Sequence, residues 1–356
     1  MESQITKNVF CTYTGDNEDV DTTVFFISGN PGLISYYHPF LSLLARHLAD
    51  NGEIAGQEIP SFRIYGCSLG GFEVAEPSVA GSTSKPDTKD NTGDGNSLYD
   101  LEEQICFVQG KLNEVMRSVS SSTEKKQKVI LIGHSVGTYM AMEILRRHRE
   151  ATAESSQSDV KVRGLPDFDI TGGIMLFPTV MDIAASPSGQ KLTTLLAIMP
   201  QLALIVSLFA RILTFILPDS VLKAVIRTVM RNPPPHALDT TFTFLKSSGG
   251  VRQALHMAAD EMRSITTDKW TDDVWGVAST KDPVAELFFY FGRNDHWIAE
   301  KTRDEIIALK GRKDGLGPKM FVCEDGLPHA FCLKHNEIMA QKVSGMIKEI
   351  ALNKME

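Results

Sequence analysis

No two of the five cysteines stand in a CxxC spacing; Cys11, Cys67, Cys106, Cys323 and Cys332 are scattered along the chain. That absence argues against a disulfide framework or a zinc site, and for a reducing compartment. An excess of positive charge is also missing. The formal net charge is -8, which argues against nucleic acid as a partner. The opening residues, MESQITKNVFCTYTGDNEDV, lack a basic stretch followed by an apolar one, so secretion is not expected. No internal repeat is present. What the chain does have is length and apolar content. Its 356 residues, 42% of them hydrophobic, fit one α/β domain with insertions and a sizeable core.

Apolar, β-branched or aromatic runs mark the strands: Thr23–Ile27, Ser61–Tyr65, Lys128–Ile132, Gly172–Phe177 (GGIMLF), Leu287–Phe291 (LFFYF) and Lys319–Cys323 (KMFVC). Helical periodicity covers Tyr36–Asp50, Leu98 to about Arg117, the stretch after residue 137, and the chain from Asn336 onward. Strands alternating with helices predict a parallel sheet covered on both faces. Residues 77–97 (PSVAGSTSKPDTKDNTGDGNS) have almost no apolar content and read as a disordered polar insert. Glu150–Asp159 reads as a second polar insert.

The stretch KVILIGHSVGTYMAMEIL, residues 128–145, carries the chemistry. By composition alone G-x-S-x-G arises in roughly one chain in ten of this length, so context must decide. Here a buried-strand run enters Gly133-His134-Ser135-Val136-Gly137, and an amphipathic helix leaves it. A sharp strand-to-helix turn exposes the serine oxygen. The glycines leave room for tight packing, and the Val136 N–H stands at a helix start where it can stabilise an oxyanion.

A serine hydroxyl needs a base, and the base an acid that fixes its tautomer. In α/β-hydrolases the chain order is serine, acid, histidine. FYFGRNDHW places Asp295 past a late strand, and KMFVCEDGLPHAF places His329 in the loop after the last one. Asp295 is the expected acid. Asp182 in FPTVMD is the rival, one strand earlier; Asp325 is a third carboxylate, on the wrong side of the strand-loop logic. His134 reads as a packing residue beside the serine, and His296 as a residue at the pocket rim. The second oxyanion donor is expected from Ser28-Gly29-Asn30-Pro31-Gly32. Proline has no N–H, so Asn30 is the candidate; the other reading of GNPG is a plain turn. Such a site needs no metal and no cofactor.

Residues 178–285 are far too long for a crossover loop and read as a cap inserted over the sheet. Within it lies an apolar segment, residues 195–217, interrupted by Pro200, Gln201 and Arg211. Three readings are open: a buried or dimer-forming pair of cap helices, a hairpin that dips into lipid, and a full span. A single crossing there would put the two halves of one sheet on opposite sides of a bilayer.

Five stretches, FFISGNPGLISYYHPFLSLL, VILIGHSVGTYMAMEIL, IMLFPTVMDIAASPSGQKL, FYFGRNDHW and LPHAFCLKHNEIMA, together resemble the lipid droplet-associated hydrolase family. The likeness runs from about residue 22 to 350, the two inserts left out. The GNPG and SP-x-G blocks are more specific than GHSVG. The sequence departs from the family by its inserts and by His296 in place of a proline. The resemblance implies an α/β-hydrolase fold with a triad of Ser135, Asp295 and His329. It also implies an apolar lipid ester as substrate, sterol ester or acylglycerol, and attachment to the lipid droplet monolayer or the cytosolic face of the endoplasmic reticulum, with the apolar cap as anchor. The other function it allows is a droplet-surface protein that promotes droplet growth or lipid storage with weak or no hydrolysis.

Overall fold

The computed structural model describes residues 3–15, 20, 22–50, 60–75, 98–120, 126–157, 167–277, 284–312 and 317–353. Among these residues eight strands form one sheet: β1 (Gln4–Ile5), β2 (Val9–Tyr13), β3 (Thr22–Ile27), β4 (Phe62–Cys67), β5 (Gln127–His134), β6 (Phe168–Leu176), β7 (Glu286–Phe291) and β8 (Lys319–Val322). Their order across the sheet is β1-β2-β4-β3-β5-β6-β7-β8. β2 pairs antiparallel with β1 and β4, and every other pairing is parallel. The sequence periodicity did not show the antiparallel edge formed by β1 and β2. Parallel strands sandwiched between helices lose the alternation of half-exposed ones: β3 (TTVFFI) is buried at all six positions.

The described helices are α1 (His38–Ala49), α2 (Leu101–Ser120), α3 (Val136–Gln157), α4 (Pro187–Ile198), α5 (Leu202–Ile216), α6 (Asp219–Val229), α7 (Pro235–Lys246), α8 (Gly250–Ser264), α9 (Glu300–Lys310) and α10 (Asn336–Asn353). Right-handed crossovers assign them to faces. The chain steps from β3 outward to β4 through α1, then back across β3 to β5 through α2, so α1 and α2 lie on opposite faces. α3 and α9 step in the same direction as α2 and share its face; α10 packs on α1.

Two polar stretches turn out differently from one another. Residues 77–97 lie outside the described residues. Residues 150–157, expected to belong to a polar insert, instead continue α3; residues 158 and 159 lie outside the described ones. Glu150, Thr152 and Glu154 belong to a solvent-facing stretch of that helix, where Arg146 Nη1 meets Glu150 Oε2 at 2.6 Å, one turn away.

Between β6 and β7 the chain forms α4–α8. Ser186 starts α4 as its N-cap, accepting from the Gly189 N–H at 2.9 Å with Pro187 at the first helical position. Pro200 falls between α4 and α5, which meet at 93°. Among the described residues no single helix is long and apolar enough to cross a membrane, although this bent pair together is. Leu202 at the start of α5 is buried, but most of the helix's apolar side chains are not covered by the rest of the chain: Leu208 is 60%, Phe209 64% and Phe215 91% exposed. The reading of this segment as buried within its own chain is therefore corrected. α6 divides its apolar residues between two stripes. Leu222 and Ile226 join Leu238 in a small core of their own, while Val221, Val225 and Val229 face outward.

Candidate active site

β5 ends at His134 and α3 begins at Val136, leaving Ser135 alone on the corner between them. Its φ of 54 lies in the left-handed region, where a Cβ is sterically disfavoured. The corner is held because the Ser135 N–H donates to the Leu176 carbonyl at 3.0 Å. The glycines of the motif are required by approach. A Cβ on Gly133 would lie 2.5 Å from the Gly137 carbonyl oxygen, and one on Gly137 would lie 2.4 Å from that of Ile27.

Asp295 lies just beyond β7 and His329 beyond β8, so the parallel sheet delivers both to the same end as Ser135. His329 Nδ1 is 2.7 Å from Asp295 Oδ2, and Nε2 is 2.9 Å from Ser135 Oγ. A carboxylate can only accept, so Nδ1 carries the proton and Nε2 is left to accept from the serine hydroxyl. The second Asp295 oxygen accepts from the Trp297 N–H at 2.9 Å, and the Asp295 side chain is 1% exposed. The rival carboxylates are not on the imidazole. Asp182 has a left-handed backbone and gives its N–H to the Thr266 carbonyl at 2.7 Å. Asp325 pairs with Lys342 at 2.9 Å. His296 is exposed, with its carbonyl accepting from the Ser188 N–H at 2.9 Å.

Val136 opens α3, where the first N–H groups have no acceptor inside the helix. Asn30 sits in the loop after β3. Among the described residues, neither the Asn30 nor the Val136 amide N–H donates to a protein acceptor. The neighbouring Gly29 N–H does: it donates to the Tyr37 hydroxyl at 3.3 Å.

Tyr37 was not foreseen from the sequence. Its hydroxyl is 2.8 Å from His134 Nδ1, and His134 Nε2 is 2.9 Å from the His329 carbonyl oxygen. Burial, reinforced by the neighbouring His329, holds the His134 imidazole well below its ordinary pKa. Burial pushes the Tyr37 phenol well above its own. Both are neutral at pH 7, which fixes the proton order. Gly29 N–H donates to Tyr37 Oη, Tyr37 O–H donates to His134 Nδ1, and His134 Nε2–H donates to the His329 carbonyl. The loop after β3 and the loop of the histidine are thus joined through one neutral imidazole. Phe177, with φ 48, and Trp297 pack around the His329 ring at centroid distances of 5.7 and 6.4 Å. Only the YY run in the quoted motif marks Tyr37 in the sequence. Among the described residues no three His, Cys, Asp or Glu side chains group as metal ligands.

Solved structures share this arrangement of sheet and helices. The chain superposes on a haloalkane dehalogenase from Bradyrhizobium elkani with a TM-score of 0.54 at 11% identity, covering 98% of this chain and 97% of that one. It superposes on 2-hydroxy-6-oxo-6-phenylhexa-2,4-dienoate hydrolase from a Rhodococcus strain with a TM-score of 0.52 at 15% identity, covering 96% and 94%. The fold is that of the α/β-hydrolases. In sequence the chain is similar to a lipid droplet-associated hydrolase of Mus musculus, 26% identical over 351 residues, covering 98% of this chain and 92% of that one. One from Drosophila melanogaster is 26% identical over 332 residues, covering 92% and 89%. The family model for lipid-droplet associated hydrolase matches residues 20–332. With its matched span taking in the whole path from β3 to the loop of His329, the chain belongs to the lipid-droplet associated hydrolase family.

Proposed function

We propose that this hydrolase is a serine carboxylic-ester hydrolase, and that it acts on acyl esters of apolar lipids, sterol esters or acylglycerols, at the surface of lipid droplets. The observation that carries the reading is the continuous run Ser135 Oγ, His329, Asp295 at 2.9 and 2.7 Å, on a left-handed serine. His329 Nε2 takes the hydroxyl proton as Oγ bonds to the acyl carbon. Asp295 holds the ring in the needed tautomer and stabilises the imidazolium. The Val136 and Asn30 N–H groups receive the oxyanion. The imidazolium then protonates the leaving alkoxide as the C–O bond breaks. Water, deprotonated by the same nitrogen, hydrolyses the acyl-enzyme. These steps use only this chain's residues and water.

Attachment is supported by the exposed apolar residues of α5 and α6 and by the names of the relatives. A phospholipid monolayer over neutral lipid has no aqueous far side, so helices bent at Pro200 can enter and leave by one face. The cytosolic face of the endoplasmic reticulum, continuous with such monolayers, is the second location in this reading.

The test is covalent labelling by a fluorophosphonate, with fatty-acid release from sterol ester and triacylglycerol emulsions measured alongside. A labelled Ser135 peptide and release of acid are expected. Labelling of wild type no stronger than of Ser135→Ala overturns the reading. The exposed apolar side chains of α5 also suit the second reading, a droplet-surface protein promoting droplet growth with weak or no hydrolysis. That reading wins if Ser135→Ala restores droplet size in depleted cells as fully as wild type.

A further inference from the structure

The Asn30 amide is expected to donate to the oxyanion, yet no backbone hydrogen bond of its own among the described residues holds it in place. Its side chain does the holding. Asn30 Nδ2 donates both protons to α8, one to the Ala254 carbonyl at 2.9 Å and one to Glu261 Oε1 at 3.0 Å. Ala254 and Glu261 are seven residues apart, two helical turns, so they lie on one face. The adjoining stripe, one residue earlier, is anchored as well. Gln253 exchanges two hydrogen bonds with the Tyr99 backbone, both at 2.8 Å. Asp260 Oδ2 accepts from the Leu101 N–H at 3.0 Å. α8 is thereby fixed to the start of α2, and this gives Glu261 a firm seat.

Glu261 is 5% exposed, and no basic side chain pairs with it among the described residues. Burial, with the nearby Asp260 adding to it, pushes its pKa up to about 8. The group is a neutral acid at pH 7. A buried acid without a cation costs stability that a well-packed apolar residue would not. Its presence beside the oxyanion loop therefore has a use other than packing.

Resting on the serine-hydrolase reading, we infer that Glu261 and the Asn30 side chain form a positioning pair, which sets the Asn30 amide against the serine. Neither side chain touches the reacting atoms. Their effect is on the transition state, through the geometry of a donor whose full loss costs roughly a hundredfold or more in other serine hydrolases.

The test uses the full chain, a short soluble ester and a fluorophosphonate. Glu261→Met keeps the volume and removes the acceptor. It should lower kcat and the phosphonylation rate roughly tenfold to a hundredfold while KM moves less than about threefold. Glu261→Gln restores an acceptor oxygen and should recover most of that loss, an outcome that loss of packing alone does not produce. Asn30→Ala keeps the backbone donor and frees it from α8; it should match Glu261→Met, and the double variant should be no worse than either. Wild-type kcat in Glu261→Met or Asn30→Ala, or losses that multiply in the double variant, overturn the inference. Should Glu261→Met fail to fold, Asn30→Ala decides alone. An unreactive wild type instead overturns the hydrolase reading, and with it any role for the pair.

Discussion

His134 Nε2 donates to the backbone carbonyl of His329 at 2.9 Å; the residue before the serine therefore grips the loop that holds the His329 imidazole against Ser135. His134→Asn removes this bond and strands the Tyr37 hydroxyl. We expect kcat to fall roughly tenfold and stability to fall by about 1–3 kcal/mol, the cost of buried groups left unpaired. Acid sensitivity should change too. Below its ordinary value of 6.5 an unfolded histidine binds a proton that folded His134 does not. Stability contributed by the neutral ring is thus lost as pH falls, at up to about 1.4 kcal/mol per unit. Urea midpoints at pH 7, 6 and 5 should decline less steeply in His134→Asn; an equal decline sinks the assignment of His134 as a buried neutral ring.

Ser135→Ala should abolish ester hydrolysis and leave the melting temperature within a few degrees of wild type. Ser135→Gly tests the corner itself. Its φ of 54 costs an L-residue roughly 1–2 kcal/mol that glycine avoids, against about 0.5–1 kcal/mol of glycine's extra chain entropy. Ser135→Gly should be more stable than Ser135→Ala by up to about 1 kcal/mol. Denaturation that finds it less stable would mean the corner is not strained.

Asp295→Asn should reduce kcat by something on the order of ten-thousandfold, because the amide favours the wrong imidazole tautomer. Asp182→Asn, whose carboxylate lies off the imidazole, should change kcat less than about threefold. The reverse ranking in a steady-state assay would move the acid to the earlier strand.

Replacing Leu204, Ile205, Leu208 and Phe209 with Ser or Gln should release the protein from lipid-loaded droplets. All four side chains are about half exposed or more, so folding loses little. Transfer of the exposed parts into lipid contributes about 1 kcal/mol each, together roughly a thousandfold in partitioning. A folded quadruple variant that coats droplets in fluorescence images as wild type does would place the anchor elsewhere.

The strand ends were legible because a parallel sheet repeats one instruction: an apolar run followed at once by a polar turn. Ser135, Asp295, His329 and Asn30 each follow such a run, so the order of motifs sufficed to place them at one end of the sheet. Contacts between distant segments left no such trace. Glu261 stands 231 positions from Asn30, on a helix whose polar residues look like any solvent-facing set. β2 was missed because VFCTY lies in a short N-terminal stretch with little surrounding pattern. The helical end of α3 was misread because a polar, solvated helix and a polar loop share one composition.

The two stripes of α8 also bear on how a substrate could reach the serine. With Gln253, Ala254, Asp260 and Glu261 all bonded to the main body, the segment between β6 and β7 cannot swing open as one flap. α7 is held as well, with Tyr36 Oη 2.8 Å from Thr241 Oγ1 and His236 Nε2 3.2 Å from the Cys332 carbonyl oxygen, and the start of α4 is held by the Ser188 N–H on the His296 carbonyl, which leaves α5 and α6 to move. Those helices carry the apolar side chains that face outward. On the proposed reading, attachment to lipid and admission of lipid draw on the same few turns of chain, and docking on a droplet would itself bias the doorway.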